Sequence, residues 1–211
     1  MRPDRIPLFP LNVVLLPGAD LPLHIFEPRY RQMVRDCLSG HCEFGILLAL
    51  PNGVVRVGCT AEVTEVVKRY PDGRMDIVTG GRAPFRVVEL LNREAYAADE
   101  LLEGQVDYLD DDERLSDAKT QRELVQLYEV CHTLVFNDYP KNIQEQFPEH
   151  LSYVVAWTLP LDLLWKQQIL ELRSEADRQE HLVAYLREWA PRLQKTETLR
   201  YKTAKYSSGV N

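Results

Sequence analysis

Between Leu21 and Leu38 the chain changes from strand to helix with no linker. No other stretch constrains the fold as tightly. Leu21, Leu23, Ile25 and Phe26 supply the apolar residues of a buried strand, with Pro22 tolerable only near a strand start or on an edge. Pro28 suits the first helical position, where its missing N–H costs nothing and its φ is preset. Tyr30, Met33, Val34, Cys37 and Leu38 then share one face at i, i+3, i+4, i+7 spacing. Glu27 stands where a side chain caps the helix and complements its dipole, and Arg29 where it bridges to an acidic neighbour. Ser39-Gly40 ends the helix, glycine taking the left-handed cap conformation.

Strand signals surround this corner. Ile6–Leu16 reads as one or two short strands broken by Pro7 and Pro10, and Pro17-Gly18 as a turn. The apolar run Phe44–Leu50 is a buried strand, and Asn52-Gly53 turns it toward Val54–Val57. Gly58–Tyr70 is β-rich, Pro71-Asp72-Gly73 is a turn, and Met75–Thr79 alternates as a returning strand. Gly80-Gly81 is expected to break that strand, with Phe85–Leu91 resuming it and Gly104–Leu109 adding one more. Many short strands with one early helix indicate an α+β fold built on a compact, partly closed barrel.

The acidic run Asp110–Glu113 marks a change to helical spacing. Leu124, Leu127, Tyr128, Cys131, Leu134 and Val135 share a face; Pro148 opens a second helix, with Leu151, Val154 and Val155 inward. Asp162 caps a third, in which Trp165, Ile169 and Leu172 align. Ser174-Glu-Ala-Asp177 has capping-box spacing before Leu182, Tyr185, Leu186 and Trp189. Pro191 is expected to end that pattern. The expected organisation is a β domain over 1–113, a helical subdomain over 114–190 and a polar, frayed tail over 191–211.

Composition then excludes function classes. A formal net charge of −7 over 211 residues disfavours a broad nucleic-acid footprint and an anionic membrane surface. No apolar run approaches the ~20 residues that span a bilayer, and the opening Met-Arg-Pro-Asp-Arg lacks a signal-peptide core. The expected location is the cytoplasm. Four cysteines in this length are not a disulfide framework.

A resemblance to a known family rests on particular residues. Ile6-Pro-Leu-Phe-Pro-Leu-Asn-Val-Val-Leu-Leu-Pro-Gly18 followed by Ile25-Phe-Glu-Pro-Arg-Tyr30 resembles the opening of the Lon N-terminal, substrate-binding domain. Gly58-x-x-Ala61, the Pro71-Asp-Gly73 turn, Gly80-Gly81 and Lys166-Gln-Gln-Ile-Leu-Glu171 fit the same pattern. The resemblance implies a PUA-like pseudo-barrel followed by a helical subdomain. It further implies a non-catalytic module that binds unfolded or degron-bearing polypeptide in protein quality control, with a protease or chaperone as partner. It departs at one point: the family commonly carries Gly-x-x-Arg-Phe, and here Pro84 precedes Phe85, flanked by Arg82 and Arg86. The family's arginine therefore has no counterpart at that position.

Catalytic chemistry is missing where Lon proteases need it. Their phosphate loop requires Gly-Lys-[Ser/Thr], and no Gly-Lys occurs in the chain. Neither an ATPase nor a Ser–Lys protease domain is expected after residue 190. Ser116-Asp-Ala-Lys119 matches a Ser-x-x-Lys pattern without its companion motifs, and Ser116 reads as a helix N-cap. Cys37, His41 and Cys42, and separately Cys131-His132, lack zinc spacing; Cys37 and Cys131 read as apolar-face residues. Neither a metal nor a cofactor is expected. His24 has no identifiable carboxylate partner and reads as structural or surface-exposed. Trp157, Trp165 and Trp189 read as packing anchors. The peptide-contacting residues on this reading are Glu27, Arg29, Arg82 and Arg86, against the alternative that the first two only stabilise the corner. An RNA-binding barrel and a small-molecule hydrolase are the competing readings. The oligomeric state has no sequence signal.

Overall fold

The computed structural model describes residues 2–92, 100–112, 114, 116–140, 143 and 150–207. They fall into two compact units, one comprising Met1–Asp111 with Leu161–Arg173, the other Asp112–Pro160 with Ser174–Asn211. The architecture is α+β: an early helix, a mixed sheet that is not a true barrel, and helices toward the C-terminus.

In the first unit β1 (Arg5–Leu11), β2 (Asp20–Ile25), α1 (Pro28–Gly40), β3 (Phe44–Leu50), β4 (Gly53–Val54), β5 (Val57–Arg69), β6 (Met75–Leu90) and β7 (Leu102–Tyr108) follow in order. The pairing path runs β1-β7-β6-β5-β3-β4. β1 also pairs parallel with β3, placing Leu8 opposite Gly45 and Phe9 opposite Ile46, so the path turns back on itself through β1. The parallel pairing requires a crossover, which β2 and α1 provide. Ile6, Leu8, Leu47, Phe85, Val87, Leu102 and Val106 form the core cluster within the sheet. Register shifts between β5 and β6 at Cys59/Ala61, Val63/Glu65 and Val66/Lys68 bend the long hairpin. At the first shift Thr60 is buried, and its hydroxyl oxygen accepts the Ala83 N–H at 3.1 Å. A polar side chain thus replaces the ladder bond that the bulge removes.

Several expected elements hold as read, and others need correction. The Pro71-Asp72-Gly73 turn forms, with Gly73 at φ 85° and its N–H donating to Tyr70 O at 3.0 Å. Gly80-Gly81 does not break a strand; both glycines lie inside the continuous β6. The reason is a close approach. A Cβ on Gly81 would stand 2.2 Å from Leu16 O, and Gly81 is bonded to the 12–19 loop through its N–H to Ala19 O and its O to the Gly18 N–H, each 2.9 Å. β2 is not a buried strand either. Among the described residues it pairs only with β6, Leu21 and Leu23 are half-buried, and Phe26 just beyond it is 58% exposed.

Helix α1 begins at Pro28 as expected and buries Tyr30, Met33, Val34 and Cys37. Its left-handed terminal residue is His41 at φ 51°, one position beyond Gly40. Glu27 occupies the N-cap position but makes no capping bond, because its carboxylate is taken by Arg29. A later helix, α4 (Leu163–Glu171), belongs to this first unit. Asp162 caps it, accepting the Leu164 N–H at 2.9 Å. The buried Gln167 amide donates to Val57 O and to Glu171 Oε1, both at 2.9 Å, tying the helix to β5.

The second unit holds α2 (Ala118–Phe136), α3 (Leu151–Thr158) and α5 (Glu175–Ser207). Pro148, expected to open α3, lies outside the described residues. α3 buries Leu151, Val154 and Val155. The N-cap of α2 is Asp117, whose carboxylate accepts from Lys119 N–H and Thr120 N–H at 2.8 and 3.0 Å; Ser116 instead donates to Gln179 Oε1. Ser174 caps α5 by accepting the Asp177 N–H at 3.1 Å. α5 does not end at Pro191 but continues to Ser207. Proline forfeits one helical hydrogen bond, and the Leu, Gln, Lys, Glu and Arg residues that follow are good helix formers.

Arg178, fully buried, joins α3 to α5 in this unit. Its Nε donates to Ser152 Oγ at 2.9 Å, its Nη2 pairs with Glu175 Oε2 at 3.1 Å, and its guanidinium lies 4.2 Å from the Tyr153 ring centroid. Glu175 in turn accepts the Ser152 N–H at 2.9 Å. A carboxylate from α5 thereby satisfies an orphan donor in the first turn of α3, where His150 supplies no side-chain cap. Removing one partner of a buried pair strands the other charge. Arg178→Ala should therefore destabilise the helical unit by about 3–5 kcal/mol, read as a lower urea midpoint with unchanged slope; a midpoint within experimental error of wild type contradicts this role.

Candidate functional site: a groove at the strand–helix corner

The corner after β2 opens onto a groove of about 540 Å3. Phe9, Pro10 and Leu11 from the end of β1 line it together with Leu23, Phe26 and Tyr30. Local sequence dictates this exposure. β2 alternates, so the residues next to half-buried Leu21 and Leu23 face outward, and Pro28 starts the helix before Phe26 can turn inward. The ring of Tyr30 stacks on Phe9 with centroids 3.8 Å apart, and Phe9 meets Phe44 at 6.3 Å. The groove floor is thereby joined to the sheet.

Two of the four expected site residues, Glu27 and Arg29, line this groove. Glu27 Oε2 accepts from Arg29 Nε at 3.1 Å and from Nη2 at 2.7 Å, while Arg29 Nη1 donates to Glu100 O at 3.1 Å. The guanidinium sits 4.6 Å from the Tyr30 ring centroid, and only 15% of the Arg29 side chain is exposed. Its charge is committed to the wall, so the pair holds the groove's shape. Arg82 and Arg86 do not line it. They lie farther along the exposed face of β6, where Arg82 pairs with Glu62 at 2.7 Å and Arg86 stands in register with Val57 and Asp107.

The polar end of the groove is His24, and here sequence reasoning missed a partner. His24 stands opposite Asp76 in the β2–β6 register, with Nδ1 2.5 Å from Asp76 Oδ1. Tyr70 donates its hydroxyl to Asp76 Oδ2 at 2.8 Å and meets His24 edge-on at 5.8 Å. Lys68 and Arg74 lie 4.5 and 5.1 Å from the Tyr70 ring centroid. Asp76 is distant in sequence, so only strand pairing reveals it. The His24 hydrogen bond, followed by that of Tyr70, holds the Asp76 carboxyl below the ordinary carboxylate range.

Among the described residues no group of three or more His, Cys, Asp or Glu is placed to hold a metal. Cys37, Cys59 and Cys131 are buried, and His132 Nδ1 lies 3.1 Å from Asp138 O. Trp157, Trp165 and Trp189 are half-buried on their helices.

The family model described as "ATP-dependent protease La (LON) substrate-binding domain" matches residues 5–188. The Lon protease of Dictyoglomus thermophilum is 26% identical over 201 residues, covering 87% of this chain and 24% of that protein. Lon protease 2 of Syntrophobacter fumaroxidans is 24% identical over 198 residues, with the same coverage. The chain thus spans about a quarter of the length of the curated relatives it matches. Among solved structures, a Lon N-terminal domain protein from Xanthomonas campestris superposes with a TM-score of 0.67 at 26% identity, covering 86% of this chain and 98% of that one. The N-terminal domain of a Mycobacterium avium complex Lon protease gives 0.59 at 15% identity over 86% and 97%, a likeness of fold.

The Asp76 contacts generate a pH prediction. A carboxylate whose native pKa is depressed contributes stability above its unfolded value, near 3.9, and that stability is lost as pH falls through the native value. Asp76→Asn should be less stable than wild type at pH 7, with the gap closing below about pH 4. Urea midpoints measured from pH 7 to 2 check this; a gap constant across that range removes the ionised Asp76 from the account.

Proposed function

The chain belongs to the Lon substrate-binding domain family, matched over residues 5–188, and on that premise we propose that it captures unfolded or degron-bearing polypeptide in the corner groove. Residues 5–188 correspond to the recognition domain, which carries neither the ATPase nor the protease elements of Lon. The bound segment lies extended along β2, with an apolar side chain seated between Phe26 and Leu11. One observation carries this reading: an aromatic-lined groove takes in Leu23 and His24 of β2, a strand that among the described residues pairs with β6 alone. Main-chain hydrogen bonds to such an edge give affinity without sequence dependence, and the pocket adds side-chain selectivity. Pro22 in β2 lacks an N–H, so the edge offers a broken ladder that suits transient capture and resists self-association.

Among the described residues no helix is long and apolar enough to cross a membrane, and the reading places the protein in the cytoplasm. A protease or chaperone that receives the captured segment is part of the same proposal. Arg82 and Arg86, exposed farther along β6, extend the contact surface for a longer segment.

The test is fluorescence anisotropy with a panel of labelled unfolded-polypeptide segments. Saturable binding is expected, and Phe26→Ala should weaken it roughly tenfold, the loss of one buried aromatic anchor. Backbone N-methylation of the segment should weaken it by a similar factor. Binding of single-stranded RNA with no binding of any segment would falsify the proposal, as would unchanged affinity in Phe26→Ala.

A further inference from the structure

We propose that Cys37 and Cys42 form a redox-active dithiol site, which peroxide-class oxidants close reversibly into an intramolecular disulfide. The end of α1 builds the site. His41 takes the left-handed conformation, and Cys42 N–H donates to Cys37 O at 3.2 Å. This six-to-one closure folds the residue after the cap back over the last helical turn, where the two flanking side chains commonly meet. Here both are cysteines. The Cys37 and Cys42 sulfurs stand 2.6 Å apart, so bond formation at ~2.05 Å needs only a small sulfur movement.

The two sulfurs differ in their access to solvent, which sets the order of the steps. Cys42 is half-buried and reachable from solvent, whereas Cys37 is 4% exposed. Burial pushes the Cys37 thiol well above its ordinary range, and the neighbouring Cys42 adds to that effect. Cys42 is therefore the sulfur that meets the oxidant, and Cys37 the one that resolves the product. In the first step the Cys42 thiolate attacks a peroxide oxygen; the O–O bond breaks, leaving Cys42 as a sulfenic acid and releasing hydroxide. In the second, Cys37 Sγ attacks the Cys42 sulfur; the S–S bond forms, the S–O bond breaks, and the departing hydroxide carries away the Cys37 proton as water. Overall two thiols are oxidised and hydrogen peroxide is reduced to two waters.

Cys59 and Cys131 serve as internal controls. Both are buried, and burial raises both thiols, that of Cys131 to about 11. The disulfide would link the last turn of α1 to the segment entering β3, at the far end of the helix whose first turn borders the groove.

The experiment treats the full chain with hydrogen peroxide, alkylates the remaining thiols, and reads the intact mass and the cysteine-containing peptides. The expected result is loss of two hydrogens, mapped to a Cys37–Cys42 link and reversed by dithiothreitol, with Cys59 and Cys131 still alkylatable after unfolding. Cys42→Ser should slow peroxide consumption at least tenfold, and Cys37→Ser should leave Cys42 to proceed to the sulfinic acid. If Cys37→Ser does not fold, the rate with Cys42→Ser decides. Wild-type protein that keeps all four thiols, forms intermolecular dimers through Cys42, or accumulates Cys42 sulfinic acid beside a reduced Cys37 overturns the proposal.

Discussion

The Tyr30 ring sits in contact with the Phe9 ring and the Arg29 guanidinium, and the usable surface of the first unit depends on that stack. It joins the end of β1 to the first turn of α1. It also explains why Arg29 is turned back onto Glu27 and Tyr30 instead of into solvent. With a cation over one ring and a second ring beside it, the aromatic pair gains both dispersion and electrostatic attraction. Phe26, 58% exposed, stands beside the corner groove.

The helical unit solves a different problem. Its short α3 buries nearly every residue, so an uncapped N-terminus there would leave orphan donors inside the protein. Glu175 meets one of them, the Ser152 N–H, from another helix, and Arg178 neutralises Glu175 while filling the space against Tyr153. A charged cluster of this kind is favourable only because each charge is both paired and hydrogen-bonded.

Much of this was legible in the chain itself. The corner at Glu27–Pro28, the strand Phe44–Leu50 with its buried first five residues, the Pro71-Asp72-Gly73 turn and the caps at Asp162 and Ser174 are governed by residues within a few positions of one another. At Gly80-Gly81 and His24 a distant segment intervened, whereas at Glu27 and Pro191 near neighbours did. Gly80-Gly81 looked like a break until Leu16 and Ala19 were seen packed against it. Glu27 looked like a cap until Arg29 took its carboxylate. His24 looked unpartnered until strand pairing set Asp76 opposite it. Pro191 looked like a stop, yet the helix formers after it carry α5 onward.

By itself the sequence determined the local conformations, the α+β order and the absence of a phosphate loop from these residues, because φ preferences, periodicity and short motifs act over a few residues. Only the tertiary structure decided that Glu27 and Arg29 share a groove while Arg82 and Arg86 lie elsewhere, and that β2 is an exposed edge instead of a core strand. The physical reason is that burial and pairing depend on which segments meet. Strand register across tens of residues is a property of the whole sheet, which no local pattern encodes.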